Sequence, residues 1–342
     1  MKPKGQFQKG TLKRLFRMLF SFYPVALPLI ILCIILSAAV SAMPAIFTQN
    51  IIAVLEQNAG AGWGVIGPQV IRLTMLLALL YLFSLVLSFS YTRAMAVLSQ
   101  GALKKMREQL FGHMQDLPVR YFDQHERGDI MSHYTNDIDT LRQLISQSLP
   151  QLLVSGVMVL TLFSIMLYYS VWMALVVLFG VSFMLLVVKK IGGNSAKYFM
   201  RQQKAIGKTE GYIEEMMAGQ KVIKVFCHEN EAKAGFDQVN DALFQDSEKA
   251  NTFANILAPI IMNIGNLIYV MVAMAGGAFL LSKAPNVSIS GLAFSISIVV
   301  PFLNMTRQFS GNINQVSQQL NAVIMGLAGA SRMFALLDEQ KE

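Results

Sequence analysis

The chain has 342 residues, of which 54% are hydrophobic and only 14% charged, with a mean hydropathy of +0.49. A soluble domain carries about 25% charged residues, so the composition excludes an ordinary soluble fold. The 28 basic and 20 acidic side chains leave a net charge of +8, a balance that would suit nucleic acid if it were spread over one surface, which it is not.

From the N-terminus, Lys2, Lys4, Lys9, Lys13, Arg14 and Arg17 precede the first apolar run with no acidic residue among them. Five stretches then carry no ionised side chain: Met18–Leu55, Leu73–Thr92, Gln143–Val188, Ala250–Ser282 and Ala284–Thr306. A helix of about 20 residues crosses a ~30 Å hydrocarbon layer. The third run is long enough to cross twice, and its turn is best placed at Tyr168-Tyr169-Ser170. Six crossings result. A signal peptide is not expected at the start, because its apolar core is about 7–15 residues and this run continues to Leu55.

Almost all charge sits in alternate connections. Arg93–Arg142 and Lys189–Lys249 hold most of it, whereas the opposite loops hold only Glu56, Arg72 and Lys283. The positive-inside rule places both termini and both long connections in the cytoplasm of a cell-membrane protein. The basic excess then reads as orientation and contact with anionic lipid, with no nucleic-acid partner. Cys33 lies in a span and Cys227 in a cytoplasmic segment, so no disulfide is expected.

Both long connections read as helical hairpins. In the first, Leu103, Met106, Leu110 and Met114 recur at helical spacing, Pro118 ends the outgoing helix, Tyr121–Gly128 forms a short turn, and Asp129–Leu144 returns. In the second, Lys197–Glu215 goes out, the chain breaks near Gly219, and Glu231–Lys249 returns. Helices of ~22 residues project about 33 Å. The spans contain no carboxylate, which costs roughly 2.5–3.5 kcal/mol at the bilayer centre and marks proton- or ion-coupled carriers. Arginine holds its proton, so Arg93 and Arg307 cannot replace one. Nor is there a phosphate loop. Gly207-Lys208-Thr209 resembles the end of one, but Gln202 occupies the first glycine position and no strand precedes it. His113, His125, His133 and His228 show no metal-ligand spacing, and the chain contains no catalytic, cofactor or metal site of its own.

Polar residues gather in the later spans. The fifth carries Asn263 and Asn266; the sixth carries Ser297, Asn304, Arg307, Gln308 and Asn312. Such groups cannot face lipid unsatisfied, so they are expected to line a wet cavity or bond neighbouring helices. Pro44, Pro259 and Pro301 are expected to kink their spans, and Ala275-Gly276-Gly277-Ala278 to permit close helix approach.

At three places the residues resemble ABC exporters. Leu117-Pro118-Val119-Arg120-Tyr121-Phe122-Asp123, then Gly128-Asp129-Ile130 and Asn136-Asp137, is similar to that family's first intracellular loop. Glu214, Gly219-Gln220-Lys221-Val222-Ile223-Lys224-Val225-Phe226 and Glu229 are similar to the second. Ala330-Ser331-Arg332-Met333-Phe334-Ala335-Leu336-Leu337-Asp338-Glu339 resembles the stretch that joins the sixth span to a nucleotide-binding domain. His133 departs from the pattern, standing where the family usually has arginine. The resemblance implies an all-α membrane fold with six spans (residues 18–320), a basic N-terminal segment (1–17), a linker (321–342), and hairpins ending in coupling helices. It further implies a dimer of membrane halves, with ATP and magnesium on nucleotide-binding domains that this chain lacks, either because they are separately encoded or because the sequence is truncated. Such a machine exports an amphipathic drug, lipid or peptide. Tyr121, Phe122, Asp123, His125, Glu126, Arg127 and Gly128 would serve the first coupling tip. Glu214, Met217, Gly219, Gln220, Lys221 and Lys224 would serve the second. A non-transporting membrane scaffold or regulator, or a secondary carrier, are the alternatives.

Overall fold

The computed structural model describes residues 10–58, 62–125, 127–282 and 285–342, leaving aside the side chains of residues 196, 320 and 321. Within them there are only helices: α1 (Thr11–Phe22), α2 (Ala26–Ala42), α3 (Pro44–Gln57), α4 (Trp63–Gln115), α5 (Val119–Gln124), α6 (Arg127–Ser132), α7 (Ile138–Gln143), α8 (Leu149–Tyr169), α9 (Val171–Ala218), α10 (Gln220–Val225), α11 (Glu229–Ser282) and α12 (Ile296–Leu337). Two π-helical turns, His133–Asp137 and Leu144–Ser148, flank α7. Six helical stretches among the described residues are long and apolar enough to cross a membrane. The first is α2 with α3, broken at Met43, because Pro44 has no amide hydrogen to continue the ladder. Pro259 and Pro301, by contrast, lie inside continuous helices.

The turns fall where the residues dictate. Between α8 and α9 only Ser170 is extended, buried and with its neighbours tied to the last outer loop. Val171 donates to the Val287 carbonyl at 2.9 Å, and Asn286 bonds the carbonyls of Tyr169 and Leu292 at 2.9 and 2.8 Å. Pro118 precedes α5, and Gly219 separates α9 from α10.

The chain divides into two compact units. The first comprises residues 1–174 and 276–342. Here α12 packs against α8, α3, α7 and the first π-turn, while α2 packs against α4 and α8. Of the apolar window in α12, 38% is buried within the chain, against 6% for α4, so α12 is central and α4 peripheral. The side chains Met75, Leu79, Leu82 and Phe89 of α4 are all more than 60% exposed, which water would penalise and lipid does not. The end of this unit that carries both chain termini has its own apolar core, where Leu15 and Leu19 of α1, Leu103, Met106 and Leu110 of α4, Leu141 and Leu144, and Met333 and Phe334 of α12 come together. α1 is a separate amphipathic helix, and it extends across the boundary expected at residue 17. Similarly, α12 continues unbroken past residue 320.

Close contact between α12 and the π/α7 segment depends on two glycines. A Cβ on Gly326 would lie 2.5 Å from the Leu144 Cβ, and one on Gly329 would lie 2.5 Å from the Thr140 hydroxyl. Of the Gly276-Gly277 pair, only Gly276 is in a close approach, against Val299 and Met173.

The second unit, residues 175–275, is an antiparallel hairpin of α9 and α11 with α10 at its tip. Its pairs run in opposite register: Gly180 against Ile268, Tyr198 stacked on Phe253 at 5.2 Å, Gln202 bonded to Ser247 at 3.1 Å, and the Tyr212 hydroxyl donating to the Ala232 carbonyl at 2.8 Å. Gly207-Lys208-Thr209 lies in the middle of α9, with the Thr209 hydroxyl donating to the Ala205 carbonyl. Its amides belong to a helix and cannot cradle a phosphate.

Candidate coupling elements and polar face

The first hairpin tip is α5. Pro118 is extended, so the chain leaves α4, turns, and restarts as a helix of six residues. Tyr121 is half-buried against this apolar core, and its ring stacks on His125 at 4.1 Å. The His125 Nδ1 donates to the Tyr121 carbonyl at 2.9 Å, which fixes the ring against the helix end. Phe122 meets the Tyr121 ring edge-on and is 40% exposed. The two adjacent aromatics therefore have separate tasks: Tyr121 anchors the tip and Phe122 offers a surface. Val119, not singled out from sequence, is 70% exposed beside it. Asp123, His125, Arg127 and Gly128 are exposed as well, and Glu126 lies outside the described residues.

The second tip is α10. Here Met217, Val222, Val225 and Phe226 are each at least 60% exposed, forming an apolar tip where the sequence reading emphasised polar residues. The signal was present, since Val222, Val225 and Phe226 recur at i, i+3 and i+4. Gln220 and Lys221 are exposed between them and Glu214 on the preceding helix. Lys224 closes the turn by pairing with Glu229 at 2.8 Å. Gly219 caps α9, where a Cβ would lie 3.3 Å from the Glu215 carbonyl. A groove of about 410 Å³ runs between the three helices, floored by Met216, Ile223 and Phe236.

The return arm of the first hairpin carries a feature that the sequence reading did not assemble. Asp137 has no solvent exposure. Both its oxygens take bonds from the Arg332 guanidinium, with Nε at 3.0 and 3.1 Å and an Nη2 contact to Oδ1. The His133 Nδ1 donates to Oδ2 at 2.9 Å. The histidine that stands in the arginine position thus bonds, across one π-turn, to a buried carboxylate whose arginine partner is half-exposed. Two motifs noted separately in sequence, Asn136-Asp137 and Ala330-Ser331-Arg332, are one structure.

The C-terminal segment is clasped twice more. Arg14 on α1 forms two bonds to Asp338, at 2.6 and 2.8 Å, and lies 4.4 Å over the Phe334 ring. Lys341 pairs with Asp116 at 2.7 Å, and the Glu342 amide donates to the Asp116 carbonyl at 2.9 Å. The Arg14 side chain holds the Asp338 carboxyl below the usual range, and Lys341 does the same for Asp116.

The polar residues of α12 divide between an exposed stripe and positions bonded within the helix. Asn304 and Arg307 are exposed in line with Gly311, Gln315 and Gln318, a stripe at helical spacing. The Gln315 Oε1 accepts from Gln151 at 2.8 Å and Ser155 at 3.3 Å on α8. Gln308 is half-buried, and Asn312 turns back to its carbonyl at 2.9 Å. Ser297 is 4% exposed near the N-terminal end of α12, bonded to Ser295 at 2.6 Å, with its amide donating to Glu56 of α3 at 3.4 Å. Asn263 and Asn266 belong to the second unit. Both are exposed on α11, and the Asn263 side-chain amide donates to the Pro259 carbonyl one turn back at 2.9 Å, so it is satisfied within its own helix.

Comparison with known proteins gives one family. The family model for the ABC transporter transmembrane region matches residues 27–302. The uncharacterized ABC transporter ATP-binding protein YfiC of Bacillus subtilis is 31% identical over 341 residues, covering 100% of this chain and 54% of the relative. The fatty acid ABC transporter ATP-binding/permease protein of Mycobacterium bovis is 30% identical, over 83% of this chain and 44% of the relative. The ATP-dependent lipid A-core flippase of Photorhabdus laumondii is 24% identical, over 71% and 40%. The chain spans about half the length of these curated relatives or less.

Two outcomes follow from the ion pairs. Removing Arg332 by Arg332→Ala leaves a buried carboxylate with only His133, and should cost about 1.5–3 kcal/mol, read as a lowered unfolding temperature in detergent; Arg332→Lys should recover only part of it, lacking the two-pronged geometry. The Asp338 and Asp116 pairs stabilise the linker above the ordinary carboxylate pKa of about 3.9, and that contribution disappears as pH falls through their lower folded values. A spin-label distance from residue 340 to α4 should therefore be constant from about pH 8 to pH 5 and broaden below about pH 4.

Proposed function

Because this chain belongs to the ABC transporter transmembrane region family, we propose that it is the membrane half of an ATP-driven exporter that moves an amphipathic molecule by alternating access. The observation that carries this is the pair of hairpin tips. A six-residue helix stands at the end of each cytoplasmic arm, with Val119 and Phe122 exposed on one and Val222, Val225 and Phe226 on the other. An isolated apolar tip in water is unfavourable unless a partner covers it, and exposed aromatics seated in a pocket are what dominate binding energy. Nucleotide-binding domains are the partners that this chemistry and the family suggest. They would hold ATP and magnesium, since the Gly-Lys-Thr triplet of α9 cannot.

In this reading Asp123, His125, Glu126, Arg127 and Gly128 rim the first docking surface, with Tyr121 as its anchor. Glu214, Met217, Gly219, Gln220, Lys221 and Lys224 frame the second. Force would pass from the first tip into α7 and α12 through the Asp137–Arg332 pair, and so reach the α12 stripe of Asn304, Arg307 and Gln315. The stripe's amides and guanidinium, within an otherwise apolar bundle, suit a cargo with a polar head and apolar body. Relatives named for fatty acid and for lipid A-core support a lipid-like cargo. A second membrane half, identical or homologous, would complete the cavity. The distribution of basic residues supports a cytoplasmic location for both termini.

Reconstitution with the nucleotide-binding domains tests the coupling. Phe122→Asp and Phe226→Asp should each lower ATP-dependent export of a fluorescent acyl amphiphile at least tenfold, while membrane insertion is kept. Unchanged export would refute coupling through the tips. For orientation, cysteine at Ile289, which is 74% exposed, should react with an impermeant maleimide on intact cells; reaction only after permeabilisation reverses the topology. Ile289 is a better position than Asn286, whose side chain is engaged with two carbonyls.

A further inference from the structure

The helix α1 has three faces at helical spacing. Leu15 and Leu19 are buried in the apolar core. Leu12 and Phe20, each 41% exposed, form an apolar edge with Phe16 between them. Arg14, Arg17 and Ser21 line up on the third face, with Lys13 alongside, and they border a cavity of about 620 Å³ closed by Gln109 of α4 and by Phe334 and Leu337 of α12. That volume lies within the range of pockets built for small ligands, about 300–1,000 Å³.

Two observations identify the occupant. The first is charge. Asp338 neutralises Arg14 through its two bonds, and Lys13 and Arg17 leave the cavity cationic above an apolar floor of Phe22, Phe334 and Leu337. The second is depth. A helix with an exposed Leu12–Phe16–Phe20 edge and a basic flank lies in the membrane interface, and α1 joins the first span through only Tyr23, Pro24 and Val25. On this placement the Ser21–Phe22 end of the cavity is the end nearest the lipid headgroups.

We propose that this cavity is a binding site for one anionic phospholipid of the adjoining leaflet, its phosphate held by Lys13 and Arg17 and its glycerol end resting on Phe22 and Phe334. Because Phe334 also carries the Arg14–Asp338 clasp, an occupied site would hold α1 to the segment that leaves the sixth span. The inference rests on the membrane architecture and not on the proposed cargo or its energy source.

The test uses the full chain in nanodiscs of phosphatidylcholine with or without phosphatidylglycerol, and a photoreactive phosphatidylglycerol whose label is near the glycerol. The label should map to residues 10–22 and 330–338, and a phosphatidylcholine probe should label them at least fivefold less. K13Q/R17Q, which changes two exposed side chains, should abolish that preference, while the charge-matched control K208Q/K233Q on the second unit should preserve it. Equal labelling by the two lipids, or an unchanged preference in K13Q/R17Q, overturns the proposal. So does competition by soluble glycerol phosphate as effective as that by the lipid, which would mark a simple anion site.

Discussion

A carboxylate with no access to solvent sits where the first hairpin returns to the membrane and the last helix leaves it. An isolated charge of that kind is strongly unfavourable, so Asp137 is tolerable only while Arg332 and His133 remain within hydrogen-bond distance. This requirement ties the first π-turn to α12. The remaining contacts of the region are arranged to permit it: Gly326 and Gly329 let the helices approach, and Thr140 donates to the Asp137 carbonyl on the packed side. π-Turns recur at functional positions, and here one of them brings residues four apart onto a single carboxylate. Breaking such a pair costs far more than the pair gains over apolar packing. The cluster therefore acts as a fixed register mark between the arm and the exit helix.

Around that mark this end of the chain is closely packed in some places and bare in others. Leu15, Leu103, Leu141 and Met333 are packed with no exposure, and close packing of this kind transmits displacement instead of absorbing it. The tips are the opposite. Val119, Val225 and Phe226 are more exposed than their chemistry favours. Close-packed arms and apolar ends thus occur together at this end of the chain. The C-terminal clasps, Arg14–Asp338 and Lys341–Asp116, are exposed and individually weak. They guide the linker past α1 and the first tip without locking it.

Much of this was legible in the sequence, and the reason is local. Long uncharged runs imply spans, a 46-residue run implies a turn, and Pro118 and Gly219 break helices wherever they are placed. Lipid permits no alternative, because an unpaired backbone group in hydrocarbon costs several kcal/mol. The hairpins and their tips were readable on the same grounds. What escaped was the division of labour between neighbours. Tyr121 and Phe122 are adjacent and chemically alike, yet one packs and the other is presented. Ser297 shares a helix with Asn304 but is turned to Ser295 near the N-terminal end. The apolar content of α10 was visible, but its exposure depends on what the tip leaves uncovered.

By itself, then, the order of residues determined the number of apolar helices long enough to cross, the position of the reversals, and that Gly207-Lys208-Thr209 is not a phosphate loop, since each follows from a solvent or a backbone rule acting over a few turns of helix. Tertiary structure alone decided that Asp137 meets Arg332, 195 positions away, that α1 is a helix in its own right beside a cationic cavity, and which aromatic of each tip is on view. Those outcomes depend on side chains distant in the chain competing for the same space and charge, and no local pattern records who wins.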